Sequence, residues 1–204
     1  MTRRPAVFLD RDGVINDLSY DPDHGTVDSP LSPERFKLSD TAPEALRLLG
    51  KAGYALVVVS NQPAVAKGKM TLPALDAITT RMRRELALHD VLLDAVYYCL
   101  HHPRALLPHL RVACRCRKPE PGLLLKSADD LRLGLSASWM VGDGLTDLQA
   151  GRRAGCRNVW IGNWKCEHCQ ISGDTGAWPD LRAATLLDAA RLITTERTFD
   201  ADLH

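Results

Sequence analysis

The stretch Ala6-Val7-Phe8-Leu9-Asp10-Arg11-Asp12-Gly13 decides the fold that we expect, because an apolar run stops abruptly at two carboxylates. Four consecutive apolar residues are typical of a strand that is buried on both faces of a parallel sheet. In a doubly wound sheet, ligands bind beyond the carboxyl ends of the strands. We therefore expect Asp10 and Asp12 at the edge of the sheet where a site would form.

Apolar runs and helical patterns alternate along the rest of the chain, which predicts a doubly wound, Rossmann-like α/β sheet with helices on both faces. Strands are predicted at residues 6–9, 55–59, 96–98, 139–141 and 158–161. Helices are predicted at residues 42–52, 71–89, 121–133, 145–154 and 186–193. Residues 17–40 and 162–180 show neither pattern, and both exceed the length that a plain connection needs. We interpret residues 1–204 as one domain.

Composition narrows the class of protein. The 204 residues include 26 Lys and Arg against 25 Asp and Glu, a formal charge of +1, which favours neither nucleic acid nor an anionic membrane as a partner. The longest strongly apolar run, Ala55–Val59, is too short to span a bilayer, and the residues before Asp10 are too few for a secretory signal. We expect a cytoplasmic, monomeric enzyme.

Further polar residues stand where predicted strands end or helices begin. Ser60-Asn61-Gln62 follows the second strand, Gly142-Asp143 follows the fourth with Asp147 one turn later, and Lys118 precedes a helix. One Asp-x-Asp-Gly alone is most often structural, since Asp before Gly is a common turn. Several such pieces in this order are hard to attribute to chance, and they point to a catalytic site.

Phosphoryl transfer through a carboxylate nucleophile is the chemistry that fits these residues. Asp10 would attack phosphorus, and Asp12 would act as general acid and then general base. Two carboxylates repel a phosphate, so we expect Mg²⁺ on oxygen ligands from Asp10, Asp12 and Asp143. Ser60 and Lys118 would stabilise the phosphoryl oxygens.

This set resembles the motifs of the haloacid dehalogenase superfamily of phosphohydrolases. Asp10-x-Asp12-Gly13 matches the first motif, Ser60 the second, Lys118 the third and Gly142-Asp143-x-x-x-Asp147 the fourth. The second aspartate of the first motif argues against the dehalogenase branch. About fifty residues separate the first two motifs, which leaves no room for a separate cap domain. The resemblance implies that loops determine specificity.

A loop rich in cysteine predicts a second metal site. Cys99-x-His101 and Cys114-x-Cys116 supply a Cys₃His set, which suits tetrahedral Zn²⁺. The alternative is three ordinary cysteines and a loop histidine, which we would favour for one isolated pair. A full ligand set leaves no open position, so we interpret the zinc as structural. It would also position Lys118.

Together, these segments resemble the family of D-glycero-D-manno-heptose 1,7-bisphosphate 7-phosphatases. The resemblance lies in four stretches: Leu9–Asn16 (LDRDGVIN), Val59–Gln62 (VSNQ), Tyr97–Pro103 (YYCLHHP) and Cys114–Gly122 (CRCRKPEPG). It implies removal of the 7-phosphate from a small phosphorylated sugar, with Asn61, Gln62 and Arg117 binding substrate. The related histidinol-phosphatase branch has a shorter zinc loop than the twelve residues found here between His101 and Cys114.

Other functions stay open at this stage. Another sugar phosphate, or histidinol phosphate, is the alternative substrate. An inactive phosphate-binding or zinc-binding interaction module is the alternative outside enzymes, although Asp10, Asp12, Lys118 and Asp143 are all intact. A phosphomutase would share the nucleophile but normally carries a cap to exclude water.

The chain departs from the family pattern at several positions. The loop Asp17–Ser39 is longer than the family's substrate-contacting loop, and Gly144 stands where the family usually has Lys or Arg. Pro63-Ala64 replaces a Ser-Gly pair. We expect Asp17–Ser39 to act as a specificity loop. The segment with Cys166, His168 and Cys169 is interpreted either as a second metal site or as free thiols.

Overall fold

A parallel β-sheet forms the centre of the protein in the computed structural model, which describes residues 3–21, 26–162 and 178–202. The described strands are β1 (Ala6–Leu9), β2 (Ser19–Asp21), β3 (Thr26–Asp28), β4 (Ala55–Asn61), β5 (Ala95–Cys99), β6 (Trp139–Gly142), β7 (Arg157–Ile161) and β8 (Leu181–Ala183). Six of them form one sheet in the order β5-β4-β1-β6-β7-β8, with every neighbouring pair parallel. β1 is therefore central, and Leu9 pairs with both Val58 and Val141.

Helices connect strands of this sheet, and the last of them follows its final strand. They are α1 (Ala42–Lys51), α2 (Pro63–Ala66), α3 (Leu72–Ala87), α4 (Gly122–Asp130), α5 (Leu145–Ala154) and α6 (Leu186–Asp202). The Thr71 hydroxyl accepts a hydrogen bond from the Ala74 N–H at 3.2 Å and caps α3. Gly155 ends α5 with a left-handed φ of 82°, which glycine adopts without steric cost.

The central strand is buried on both faces. Val7 and Leu9 pack into the core under α1, α3 and α6, whereas Ala6 and Phe8 pack into a second core under α4 and α5. This follows from the alternation of side chains along a strand. Burying each large aliphatic or aromatic side chain contributes about 1.5–3 kcal/mol, so β1 is anchored from two sides and holds the residues after Leu9 in place.

The doubly wound parallel sheet predicted from the sequence is confirmed, with two additions. β8 was not predicted, because it has three residues and no distinctive apolar pattern. Residues 17–40 were predicted to be irregular, and this was wrong in part: β2 and β3 pair as an antiparallel hairpin, with Tyr20 opposite Val27, and a 3₁₀ helix follows at Pro33–Arg35. Strands this short leave too few residues for alternation to be recognised.

Across the described ranges, no helix combines the length and the apolar character that crossing a bilayer requires.

Candidate active site

The carboxyl ends of β1, β4 and β6 open into a cleft of about 530 Å³. Its lining comes from the sheet edge and from the hairpin: Asp10, Asp12, Ser60, Asn61 and Asp143, with Leu18, Val27, Asp28 and Ser29. A hollow of about 660 Å³ beside Arg47 and Asp90 is larger but contains none of the candidate catalytic residues. The chemistry therefore belongs to the smaller cleft, where the polar strand ends predicted from the sequence come together.

Lys118 is buried between two carboxylates, one of which, Asp10, lines this cleft. Its ammonium lies 3.0 Å from Asp10 Oδ1 and 2.5 Å from Asp147 Oδ1, and it also donates to the Val59 carbonyl at 2.8 Å. Burial alone would lower the pKa of Lys118, but the charges of Asp10 and Asp147 outweigh it and raise that pKa. Lys118 therefore stays a cation beside the candidate nucleophile.

Asp10, Asp143 and Asp147 form a cluster whose carboxylate oxygens lie within 4.8 Å of one another. The pKa of Asp147 is raised to about 7, mainly by burial; the charge of Lys118 lowers it, and the charges of Asp10 and Asp143 raise it. Closely spaced carboxylate oxygens are the ligands that a hard divalent cation such as Mg²⁺ prefers. The donor set therefore fits the ion that we expect from the sequence.

Gly13 makes room for this cluster. Its φ of 82° is left-handed, and a Cβ atom placed there would overlap the Asp143 carboxylate. A residue with a side chain would have to displace Asp143 as well as adopt an unfavourable backbone conformation. The glycine of the first motif is thus explained by the close approach of a carboxylate from a neighbouring strand.

The Asp12 carboxylate is not one of the three that cluster, because other side chains hold it; its role as a metal ligand with Asp10 and Asp143 stays a prediction. Arg11 donates to it twice, from Nε at 3.0 Å and from Nη2 at 3.1 Å. Asn16 and Gln62 donate to it as well, at 3.0 and 2.7 Å. These bonds fix its orientation, because a carboxylate accepts only a few well-directed hydrogen bonds.

The three residues after Val59 differ in where their side chains lie and in what they bind. Ser60 is buried, lines the cleft and accepts a hydrogen bond from Gln62 at 3.1 Å. Asn61 lines the cleft and binds the main chain of Lys118 twice, with both bonds at 3.0 Å. Gln62 is 1 % exposed and its amide bonds Arg11, Asp12 and Ser60. The side chain of Gln62 is therefore hydrogen-bonded within the protein, and the substrate contact that we expected for it stays a prediction.

The predicted zinc ligands come together in the loop after β5. The four ligand atoms of Cys99, His101, Cys114 and Cys116 lie within 4.8 Å of one another, and the three cysteines are free thiols. The Sγ atoms are 3.2–3.7 Å apart, and His101 Nδ1 lies 3.3 Å from Cys116 Sγ. A tetrahedron with Zn–S bonds of about 2.3 Å has edges of about 3.8 Å, so the spacing fits this metal.

Hydrogen bonds and charges link the zinc loop to the rest of the site. The Arg117 guanidinium donates to the His101 carbonyl at 3.3 Å. His102 is buried, and its pKa is lowered, first by burial and then by the charges of Lys67, Arg117 and Arg104. Positive charge from three side chains, of which only Arg104 lies between Cys99 and Cys116, therefore acts on His102.

Two residues of the site went without a role in the sequence analysis. Arg11 is completely buried, lies 5.5 Å from the centre of the Tyr98 ring and orients Asp12. A charged residue inside an otherwise buried strand end was the available signal. Asp147 matched a motif, but its contact with Lys118 could not be inferred from spacing. The segment with Cys166, His168 and Cys169 lies outside the described residues.

A nucleophile candidate, an acid–base candidate and a buried lysine at the carboxyl edge of a doubly wound sheet define a phosphohydrolase of the haloacid dehalogenase class. Residues 115–189 match the HAD-hydrolase-like family model. The chain is 46 % identical over 150 residues to a D-glycero-beta-D-manno-heptose-1,7-bisphosphate 7-phosphatase of Salmonella typhi, a match that covers 74 % of this chain and 76 % of the relative.

Two other comparisons agree. The protein of the same name from Escherichia coli (strain K12) is 47 % identical over 146 residues, 72 % of each chain. The structure of a D,D-heptose 1,7-bisphosphate phosphatase from B. bronchiseptica, complexed with magnesium and phosphate, covers 94 % of this chain and 99 % of its own at a TM-score of 0.77 and 28 % identity. This chain therefore belongs to the heptose-1,7-bisphosphate 7-phosphatase family of the haloacid dehalogenase superfamily, and it is a phosphoric monoester hydrolase.

Proposed function

We propose that this chain removes the 7-phosphate of D-glycero-D-manno-heptose 1,7-bisphosphate. The main observation behind the proposal is the contact of Asp10 with the buried ammonium of Lys118, at 3.0 Å. The four-ligand cysteine–histidine cluster supports it. Relatives that are 46–47 % identical are named for this reaction. The proposed substrate thus agrees with both the site and the family.

The reaction runs in two steps on the residues of the cleft. Asp10 attacks phosphorus, an aspartyl phosphate forms, and the leaving sugar oxygen takes a proton from Asp12. Water then attacks the aspartyl phosphate while Asp12 takes its proton, which releases inorganic phosphate and restores Asp10. Lys118 and Ser60 hold the phosphoryl oxygens and offset their charge in both steps.

Mg²⁺ would be held by the carboxylates of Asp10 and Asp143. Asp12 would contribute through its main-chain carbonyl, since its carboxylate is bound by Arg11 and Gln62. When bound, the ion supplies positive charge that allows an anionic substrate to approach anionic ligands. Asp147 lies next to this ion site, but its carboxylate already forms an ion pair with Lys118 and accepts a hydrogen bond from the Gly144 N–H at 2.9 Å.

Zn²⁺ on Cys99, His101, Cys114 and Cys116 would have a structural role. All four ligand positions come from the protein, so none remains for substrate. The ion would hold the loop that leads into Arg117, for which we propose a substrate contact. Since zinc thiolates require reduced cysteines, we further propose that the chain works in the cytoplasm. We also propose that it is a monomer and a single domain.

A substrate panel tests the proposed function. We expect Mg²⁺-dependent phosphate release from heptose 1,7-bisphosphate with a kcat/KM at least about tenfold above that for fructose 1,6-bisphosphate or histidinol phosphate, a difference of about 1.4 kcal/mol. Nuclear magnetic resonance of the product should show that the phosphate on carbon 1 remains. Faster release from histidinol phosphate, or loss of the phosphate on carbon 1, would contradict the assignment.

A further inference from the structure

Three buried side chains hold the carboxylate of Asp12, and they bind both of its oxygens. Oδ1 accepts hydrogen bonds from Arg11 Nε and from Asn16 Nδ2, both at 3.0 Å. Oδ2 accepts from Arg11 Nη2 at 3.1 Å and from Gln62 Nε2 at 2.7 Å. Donors on both oxygens prevent the carboxyl group from rotating, so its direction relative to the cleft is set by its neighbours.

The amide of Gln62 joins Asp12 to a second residue of the site. Its Nε2 also donates to the Ser60 hydroxyl at 3.1 Å, and its Oε1 accepts from Arg11 Nη2 at 3.1 Å. The reversed amide would set its oxygen against the carboxylate and its NH₂ group against the guanidinium, so the surrounding groups select one orientation. A serine hydroxyl that accepts this bond keeps its own hydrogen for a phosphoryl oxygen.

Arg11 is completely buried, which is unusual for a long charged side chain. Its guanidinium lies 5.5 Å from the centre of the Tyr98 ring on β5, and the Tyr98 hydroxyl is hydrogen-bonded to that of Thr79 on α3 at 2.9 Å. A buried ion pair such as Arg11 with Asp12 adds little to stability as a whole, because desolvation offsets much of the attraction. The pair therefore favours a functional explanation.

We propose that Arg11 and Gln62 are positioning residues that orient Asp12 toward the leaving oxygen of the substrate. This inference rests on the proposed function, in which Asp12 is the general acid. In the first step the bond between phosphorus and the leaving oxygen breaks, that oxygen keeps the electron pair, and it takes the proton of Asp12. A displacement of about 1 Å in a reacting group can slow such a step about a hundredfold.

The test compares two aryl phosphates that differ in their need for an acid. Nitrophenolate leaves readily as an anion, whereas phenolate gains more from protonation, so a misplaced acid slows phenyl phosphate more than 4-nitrophenyl phosphate. The measured quantity is kcat/KM for phenyl phosphate divided by kcat/KM for 4-nitrophenyl phosphate, because kcat/KM contains no step after the bond breaks. For Arg11→Lys, which keeps the charge but loses the planar fork of donors, we expect this ratio to fall about five- to tenfold.

Two further variants test whether the effect passes through Asp12. Gln62→Met removes one donor and leaves the ion pair in place, so it should fold even if Arg11→Lys does not, and its ratio should fall about two- to threefold. Asp12→Asn should show the largest fall. Adding Arg11→Lys to Asp12→Asn should lower the ratio no further, because a residue that acts through Asp12 has no effect on the ratio once the acid is gone.

Ser138→Ala is the matched control. Ser138 is buried, and its hydroxyl accepts from the Ala6 N–H at 2.8 Å and donates to the Gly134 carbonyl at 2.6 Å, at the opposite end of β1 from the cleft. Its loss also removes buried hydrogen bonds and should lower the melting temperature. The ratio of the two aryl phosphates should nevertheless equal that of the parent.

The two aryl esters contain no sugar, so the outcomes separate this inference from the proposed function. A parent that hydrolyses both esters but not heptose 1,7-bisphosphate contradicts the proposed function, and the ratio still decides on the positioning residues. The inference is overturned if Arg11→Lys and Gln62→Met lower kcat/KM equally for both esters, or if Ser138→Ala lowers the ratio as much as they do. It is also overturned if Asp12→Asn leaves the ratio unchanged, or if the double variant falls below Asp12→Asn.

Discussion

The ammonium of Lys118 lies 2.5 Å from the carboxylate of Asp147, with both side chains at most 2 % exposed. A buried ion pair of this kind contributes little to stability as a whole, since desolvation offsets much of the attraction between the charges. Removing one partner is costly, because the other is left buried without compensation. Lys118 has a second carboxylate partner in Asp10, whose side chain is 16 % exposed, so its removal would leave one buried and one partly exposed carboxylate without a cation.

Lys118→Met should therefore abolish phosphate release and lower the free energy of unfolding by about 3–5 kcal/mol, measured by urea denaturation without added Mg²⁺. The double variant Lys118→Met/Asp147→Asn should recover part of that stability, since it removes one uncompensated carboxylate, but it should stay inactive. A double variant no more stable than the single one would contradict this account of the pair.

Asp10→Asn tests the nucleophile. Turnover should fall by at least about three powers of ten, since a covalent route is lost, while the melting temperature stays close to that of the parent. Mass spectrometry of acid-quenched reactions should detect a phosphorylated intermediate in the parent and none in the variant. Asp130→Asn, which changes an exposed aspartate on α4, is the control. Activity of Asp10→Asn within tenfold of the parent would exclude Asp10 as the nucleophile.

Cys114→Ser tests the zinc cluster. Elemental analysis should find less zinc per chain than in the parent, together with a lower melting temperature, because binding a structural metal contributes folding free energy. Cys156→Ala is the control within the same chain. Burial raises the pKa of Cys156 to about 12, so it remains a thiol and should not affect metal content. Parent protein that holds no zinc after purification without chelators would speak against the cluster.

Gly13→Ala tests the approach of Asp143 to the cleft. The new methyl group would overlap the Asp143 carboxylate, so the Mg²⁺ concentration for half-maximal activity should rise about tenfold or more. Gly155→Ala is matched to it, because Gly155 has the same φ of 82° and no atom within 4 Å of an added Cβ. Both variants should lose about 1–2 kcal/mol of stability through backbone strain. An equal change in Mg²⁺ dependence in both variants would mean that backbone strain causes the effect, and not the overlap with Asp143.

Sequence predicts this fold where long apolar runs alternate with helical patterns, and it fails where elements are short. β1 and residues 55–59 of β4 were recognisable because strand segments buried on both faces are continuously apolar. β8 and the hairpin strands have three residues each, so their register depends on partners that are distant or turn-linked. The same limit applies to the site: the positions of Asp10 and Asp143 follow from strand ends, whereas the direction of each side chain does not.

Gln62 and Asp12 illustrate that limit. Both follow predicted strands that lead into the site, yet their polar groups bind each other at 2.7 Å and the buried Arg11 binds both. Spacing along the chain places a residue at the correct edge of the sheet. Which residues face the cleft depends on side-chain hydrogen bonding, and for Asp12 that includes Gln62, which is 50 residues away in the sequence.

Gly144→Lys tests where the second phosphate lies. Gly144 has an extended backbone, with φ of −124°, so any residue is tolerated there. An added Cβ would lie 3.1 Å from Asp147 Oδ2, which requires a small shift, and Gly144→Ala requires the same shift without adding a charge.

We expect the KM for heptose 1,7-bisphosphate to be about three- to fivefold lower in Gly144→Lys than in Gly144→Ala, since an exposed charge contact contributes at most about 1 kcal/mol. The KM for heptose 7-phosphate should change less between the two variants, because that substrate lacks the second phosphate. Equal KM values for the bisphosphate would mean that the second phosphate is out of reach of residue 144.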